Sequence, residues 1–354
     1  MYILKYFSMH RIYMRVKNED VRKLTENIEI LIEDYKKTVP KKERDWRTYE
    51  QQLAERVKSA MRGLEPLINE AIASIKIVKA ETRGREQELT LKQKVELLLL
   101  KHLIGKSNRE MSIMLVLFSM LSEIDVSYKS VERLYSDEEV LMVLHNMHIL
   151  MLKKKGVENP DCAGDGTGYA LSVKKHYATE ALKRKNKIKS QVKEKMKNKI
   201  SKLMFIYSFR LIDLDTRMYI AYGTSFKSEK EAFSRAVKMS NETNIDSLRL
   251  DKYYSAQKYV RFLEREFGDV KLYLIPKKNA TIRGPWKWKR MLADMLNDTN
   301  SYLHEYFRRN QSESGFSEDK RRFGWRIAQK REDRVDTANF CTTLWHNMLW
   351  LSNK

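Results

Sequence analysis

Apolar residues recur every three or four positions over the first 150 residues and then give way to alternation. Between 17 and 80 the residues Trp46, Tyr49, Leu53, Val57, Met61, Leu64, Ile68, Ala71, Ile75 and Val78 form one stripe, the mark of amphipathic helix. Pro66 lies inside that stripe and predicts a kink or break, because proline has no N–H to donate. Pro40, among the bases of KKTVPKKER, marks an earlier turn. From 91 to 152 the pattern is again helical and richer in Leu and Met. Breaks are predicted at Gly105 and near Ile124 to Val126, with Ser107 and then Asp125 or Ser127 placed as N-caps. Helices at about 107 to 121 and 127 to 135 have the proportions of a helix-turn-helix, with Tyr128, Lys129, Glu132 and Arg133 on the exposed surface of its last member. The same breaks also suit an ordinary helical bundle.

After Pro160 the texture changes. GDGTGYALSVKK and KLMFIYSFRLIDLDTRMYIAYGTS are β-rich, the second with a hairpin turn expected at Asp213 to Thr216. A helix, a strand (IDSLRLD), a helix (SAQKYVRFLEREF) and a strand (VKLYLIP) follow. The order β-β-β-α-β-α-β predicts an α/β unit with an at least partly parallel sheet, and it is the order of a ribonuclease H-like fold. The expected division is therefore a helical region over 1–90, a helix-turn-helix-like domain over 91–155 and a ribonuclease H-like domain over 156–354. The last helix places Val335, Ala338, Cys341, Trp345 and Met348 on one side, which should pack on the sheet.

Charge narrows the choice of partner. The 354 residues carry 69 Lys and Arg against 47 Asp and Glu, a formal +22, which favours a polyanion such as nucleic acid or an acidic membrane surface. Residues 183–202 alone hold ten bases and one acid, a basic insertion between the first two strands. Only two cysteines occur, Cys162 and Cys341, far apart; this excludes a zinc ribbon or a disulfide framework and fits a reducing, cytoplasmic setting. The opening MYILKYFSMHRIYMRVK lacks the apolar centre of a signal peptide, and the runs at 111–121 and 140–152 fall short of the roughly 18 residues that a membrane span needs. No membrane partner is expected.

Three acids stand out. Asp165 sits in GDGTG, where flanking glycines permit close approach, yet the Lys-Ser/Thr ending of a P-loop is missing. Asp251 directly follows a predicted strand, at the edge where open α/β sheets gather ligands, although it is equally placed to cap the helix beginning near Ser255. Glu313, Phe316 and Lys320 fall three and four apart and share one helix face, so that Phe316 can pack while the charged residues project. Tyr306 and Arg309 lie just before them. His145 and His148 read as satisfied helix histidines, having no acid or cysteine beside them. Trp286, Trp288 and Trp325 are interleaved with bases and are either core residues or stacking platforms for an extruded base.

The spacing Tyr306, Arg309, Glu313, Lys320 matches Y-x2-R-x3-E-x6-K, and with DGTGYALSVKKHYATEALK, FKSEKEAF and LDKYYSAQKYV it resembles the insertion-sequence transposases of the DDE class, particularly archaeal members. The resemblance spans about 160 to 350, with a weaker likeness over the helix-turn-helix. It implies that Asp165, Asp251 and Glu313 are a catalytic triad holding two Mg²⁺ or Mn²⁺ ions, and that Tyr306, Arg309 and Lys320 contact the DNA backbone. It also implies water attack at the element end followed by strand transfer into target DNA, by a homodimer on paired double-stranded ends. Lys129 and Arg133 are DNA-binding candidates by helix geometry. Two alternatives stay open: a non-catalytic DNA-binding protein derived from a transposase, and a metal-dependent nuclease that cuts without joining.

Overall fold

A computed structural model of the chain describes residues 16–39, 45–76, 89–105, 110–111, 113–114, 126–171, 205–329 and 331–351. The basic insertion at 183–202, Pro40 and most of the helix expected at 107–121 lie outside the described residues.

The amino-terminal part is helical. Helix α1 spans Asn18–Thr38, α2 Trp46–Ala73 and α3 Leu91–Ile104. Asp45 caps α2 by accepting from Arg47 and Thr48, and Gly105 ends α3 with φ 69°, the left-handed geometry that glycine adopts without a Cβ penalty. Of the kink or break expected at Pro66, the break does not occur: α2 runs through it. The proline lies on the solvent face, while Leu64, Leu67, Ile68 and Ala71 are buried opposite, so packing carries the helix across one missing hydrogen bond. Ser127 caps a six-residue helix α4 (Tyr128–Arg133), which runs through a 3₁₀ turn (Leu134–Ser136) into α5, Glu138–Lys155. No helix among the described residues is long and apolar enough to cross a membrane.

The sheet then forms from β1 (Asp161–Leu171), β2 (Phe205–Asp213), β3 (Tyr219–Ser225), β4 (Ser247–Leu250), β5 (Lys271–Tyr273) and the short β6, Arg326–Ile327. Helix α6 (Glu229–Met239) separates β3 from β4, and α7 (Gln257–Phe267) separates β4 from β5. The strand order is 3-2-1-4-5 with β6 on β1; β1–β2 and β2–β3 are antiparallel, while β1–β4, β4–β5 and β1–β6 are parallel. The hairpin turn falls where expected: Asp213 accepts from the Thr216 amide, and Arg217 takes φ 61°. Three helices, α8 (Trp286–Asn297), α9 (Thr299–Phe307) and α10 (Asn310–Phe323), lead to α11, Glu332–Leu351.

Period-two alternation gives the sheet a core on each face. Tyr169, Leu171 and Ile206 join α2, α3, α5 and α11 in one cluster. Cys162, Phe209 and Leu211 join α1, α6, α7 and α8 in the other. Because α11 meets the sheet on one side and α3 and α5 on others, it is buried almost all round, not along the single stripe expected from its apolar spacing.

One close approach fixes how α6 lies on the sheet. A Cβ at Gly223 would stand 2.0 Å from the Ala232 carbonyl oxygen and 2.6 Å from the Ala236 nitrogen, both backbone atoms that cannot turn aside. Gly223→Ala is therefore expected to destabilise the fold by about 3 kcal/mol or more, through overpacking, as a lowered urea midpoint. A midpoint unchanged from wild type would contradict this packing.

Candidate active site

Strand register brings the first two acids together. In the parallel β1–β4 ladder Gly164 faces Leu250, so Asp165 and Asp251 are the next residues along adjacent strands, which lie about 4.8 Å apart. Asp251 also caps the 3₁₀ turn that follows it (Lys252–Tyr254), accepting from the Tyr253 amide at 3.3 Å; the helix expected to begin near Ser255 starts at Gln257 with Ala256 before it, so the aspartate caps the turn and not that helix.

Glu313 arrives from α10, in whose first turn it stands half-exposed. Arg309, the residue before that helix, joins the acids. Its Nη2 lies 3.1 Å from Glu313 Oε1 and 3.7 Å from Asp251 Oδ1, and its charge acts on Asp165. The four-residue step from Arg309 to Glu313 is helical spacing, which is why the two heads meet. Below them Tyr306 is buried, with the guanidinium 5.5 Å from its ring centre. Burial raises the Asp165 carboxyl to about 6, against the Gly166 amide and Arg309, which favour ionisation; Glu313 and Asp251 add to the rise.

Lys320 lies further along α10, its ammonium 5.4 Å from the Tyr169 ring and 4.9 Å from the exposed Trp325 ring. Tyr169 follows Asp165 by four residues on the same strand face, so α10 runs along β1 from the acids to this aromatic pair. Beside Glu313 opens a cleft of about 560 Å³ lined by Arg217, Gln311, Ser314, Arg321 and His346, among others. Lys129 and Arg133 stand elsewhere, exposed on α4, which is tied to α11 by the ion pair of Glu132 with Arg334. Trp288 is a core residue donating to the Thr281 carbonyl, whereas Trp286 is half-exposed. His148 is a core residue that donates from Nε2 to the Ile220 carbonyl, and burial pushes its pKa down to about 4.

Three carboxylates offer hard oxygen donors of the kind that suit Mg²⁺ or Mn²⁺. As they stand, no three acidic, His or Cys side chains among the described residues are close enough to hold one ion. The Arg309 guanidinium supplies the positive charge between them. Ion binding therefore needs side-chain rotation at Glu313 and Asp251, which the exposure of both permits.

Sequence spacing missed the residues that seat α10. Asp319, fully buried, takes Arg210 Nη1 at 2.7 Å and the Tyr219 hydroxyl at 2.9 Å, and faces His346 Nδ1 at 2.9 Å. The one signal was Arg210 itself, a lone charge in the run FIYSFRLI.

Asp165→Asn removes a carboxylate whose ionisation the fold opposes. Its raised pKa means that the ionised form costs stability above about 6, a cost that fades as pH falls toward the unfolded value. In metal-free protein the substitution is expected to stabilise by about 2 kcal/mol at pH 8 and by little at pH 4.5, read from urea midpoints. Equal gains at both pH values would contradict the assignment.

A probable transposase for insertion sequence element ISA1214 from Archaeoglobus fulgidus is 41% identical over 336 residues, 94% of this chain and 96% of that protein. No protein-family model matches the chain. No solved structure matches it either.

Proposed function

The chain belongs to the insertion-sequence transposases, and from that premise we propose that it is a DDE-type enzyme, with Asp165, Asp251 and Glu313 as its catalytic carboxylates. The convergence of these three acids on Arg309, from two adjacent strand ends and the first turn of α10, carries this reading. The 3-2-1-4-5 order, with β2 antiparallel to its neighbours, supports a ribonuclease H-like catalytic domain.

Phosphodiester attack adds negative charge to an already anionic group. Two divalent cations bound by the carboxylates would supply the Lewis acidity that activates the attacking oxygen and stabilises the leaving one. The chain's own residues do the rest. Asp165 and Asp251 fix the donors at the sheet edge, and Glu313 closes the set from the helix. Arg309, backed by Tyr306, and Lys320 present positive charge on the same side and hold the phosphates flanking the scissile bond. Lys129 and Arg133, exposed on α4, bind duplex DNA away from the reacting phosphate. The protein works as a homodimer on paired ends.

Incubating the protein with end-labelled terminal DNA of its own element, with and without Mg²⁺, tests this reading. Mg²⁺-dependent cutting at the element end, followed by joining to a target plasmid, is expected. Cutting without joining would identify a nuclease instead, and binding without cutting would leave a DNA-binding protein.

A further inference from the structure

Glu313 functions only if its helix is held in register with β1, and one buried group of side chains ties the two together. Arg210 is the residue facing Asp165 across the β1–β2 ladder. Its guanidinium reaches up to Asp319 on α10 at 2.7 Å and to Asn339 of α11 at 2.9 Å. The strand partner of one acid thus grips the helix that bears another. Tyr219, at the start of β3, donates to the same carboxylate and lies under Gly315.

We propose that Gly315 and Asp319 are positioning residues, which seat α10 against Tyr219 and Arg210 so that Glu313 meets Asp165 and Asp251. The proposal rests on the reading of Glu313 as a catalytic carboxylate. Ser312, Gly315, Phe316 and Asp319 are the buried residues of α10, at helical spacing, and Glu313 stands beside that stripe. A Cβ at Gly315 would lie 2.8 Å from the Tyr219 hydroxyl, whereas its next neighbours, Tyr219 Cζ and His346 Cε1, are both at 3.6 Å, ordinary contact. Glycine therefore sets how closely the helix lies on the hydroxyl, and Asp319 sets how it is rolled. Six residues separate Asp319 from Glu313, about 9 Å of helix, so a shift at the anchor passes to the carboxylate nearly undiminished.

The test uses Gly315→Ala, Tyr219→Phe and the double variant in the full-length protein. For each, kcat and KM for cutting terminal DNA, Mn²⁺ affinity by electron paramagnetic resonance and the urea midpoint are measured. Gly315→Ala is expected to lower kcat by about ten- to a hundredfold and to weaken Mn²⁺ binding, with KM kept, because a displacement on the order of 1 Å is costly at a reacting centre. Tyr219→Phe removes one partner of Asp319 without adding volume and should lower kcat severalfold with KM kept. In the double variant the atom that the new Cβ would strike is gone, and kcat should return to the Tyr219→Phe value.

Wild-type kcat and Mn²⁺ affinity in Gly315→Ala would overturn the proposal. A folded double variant no faster than Gly315→Ala would do the same, as would an unaltered Tyr219→Phe enzyme if Gly315→Ala does not fold. Separately, a Glu313→Gln enzyme that still cuts would remove the underlying reading, whereas an inactive Glu313→Gln beside a normal Gly315→Ala would remove the positioning inference alone.

Discussion

Glu313→Gln is expected to abolish cutting of terminal DNA in Mg²⁺ while leaving affinity for that DNA within a few-fold of wild type. The two expectations have different physical sources. Losing one carboxylate from a two-cation site forfeits several kcal/mol of transition-state charge stabilisation, and at 1.36 kcal/mol per tenfold this is roughly a thousandfold in rate. Binding, by contrast, depends on bases that the substitution leaves in place. Arg309 keeps Asp251 at 3.7 Å and its place over Tyr306, and Lys320 keeps its position over Tyr169 and Trp325. Because the Glu313 side chain is half-exposed and has Arg309 as its ion-pair partner, glutamine occupies the site without a packing cost. Removing a negative charge next to DNA should, if anything, tighten the complex at low salt. Gel assays of labelled ends give the rate, and fluorescence anisotropy gives the affinity. Cutting at near wild-type rate would show that Glu313 does not serve the reaction; loss of binding in step with loss of cutting would show a structural role.

How much of this site was legible in the sequence depends on the kind of signal each residue leaves. Asp165 and Asp251 were visible because strands announce themselves by alternation, and the acids fall at a glycine-flanked position and directly after an apolar run. Helical spacing put Glu313 on one face with Phe316 and Lys320, but only the resemblance of Tyr306, Arg309, Glu313 and Lys320 to the transposase signature set it apart from any surface charge. Asp319 left no such trace: in SEDK it reads as one more charge on a solvated helix, although it is fully buried. Periodicity records where apolar residues go, and it is silent about polar ones that turn inward. Helix α11 shows the same blindness. Asn339 and Asn347 are not among the apolar residues expected to pack, yet Asn339 joins Ser208, Arg210 and Thr224 in the core. Asn347 exchanges both hydrogen bonds with the Tyr219 backbone on the outermost strand, standing in for a missing neighbour. Pro66 leaves its helix unbroken for the opposite reason. A local rule about one hydrogen bond was overridden by four buried side chains on the opposite face of the same helix.

Asp319→Asn is expected to cost about 3–5 kcal/mol of stability at pH 7, because it strands a buried guanidinium. Both members of the Arg210–Asp319 pair have fully buried side chains. A guanidinium stays protonated even when buried, so the charge on Arg210 persists when its partner is neutralised. Asparagine can still accept from the Tyr219 hydroxyl, and Asn339 still accepts from Arg210 Nη2, but neither offsets a full charge. The same substitution at the exposed Arg331–Asp333 pair should cost less than about 1 kcal/mol, since water and salt screen it. The acid limb supplies a second check. Burial opposes ionisation of Asp319, but His346, Arg210 and Tyr219 outweigh it and hold the carboxyl below its ordinary value of 3.8. A depressed carboxyl pKa contributes stability that is complete above the unfolded value and is lost as pH falls through the folded one. The gap between wild type and Asp319→Asn should therefore be constant from neutral pH down to about 4 and close below it. A gap that is already small at pH 7, comparable to that of Asp333→Asn, would mean that Arg210 is solvated or partnered elsewhere and that the grip of β2 on α10 is not electrostatic.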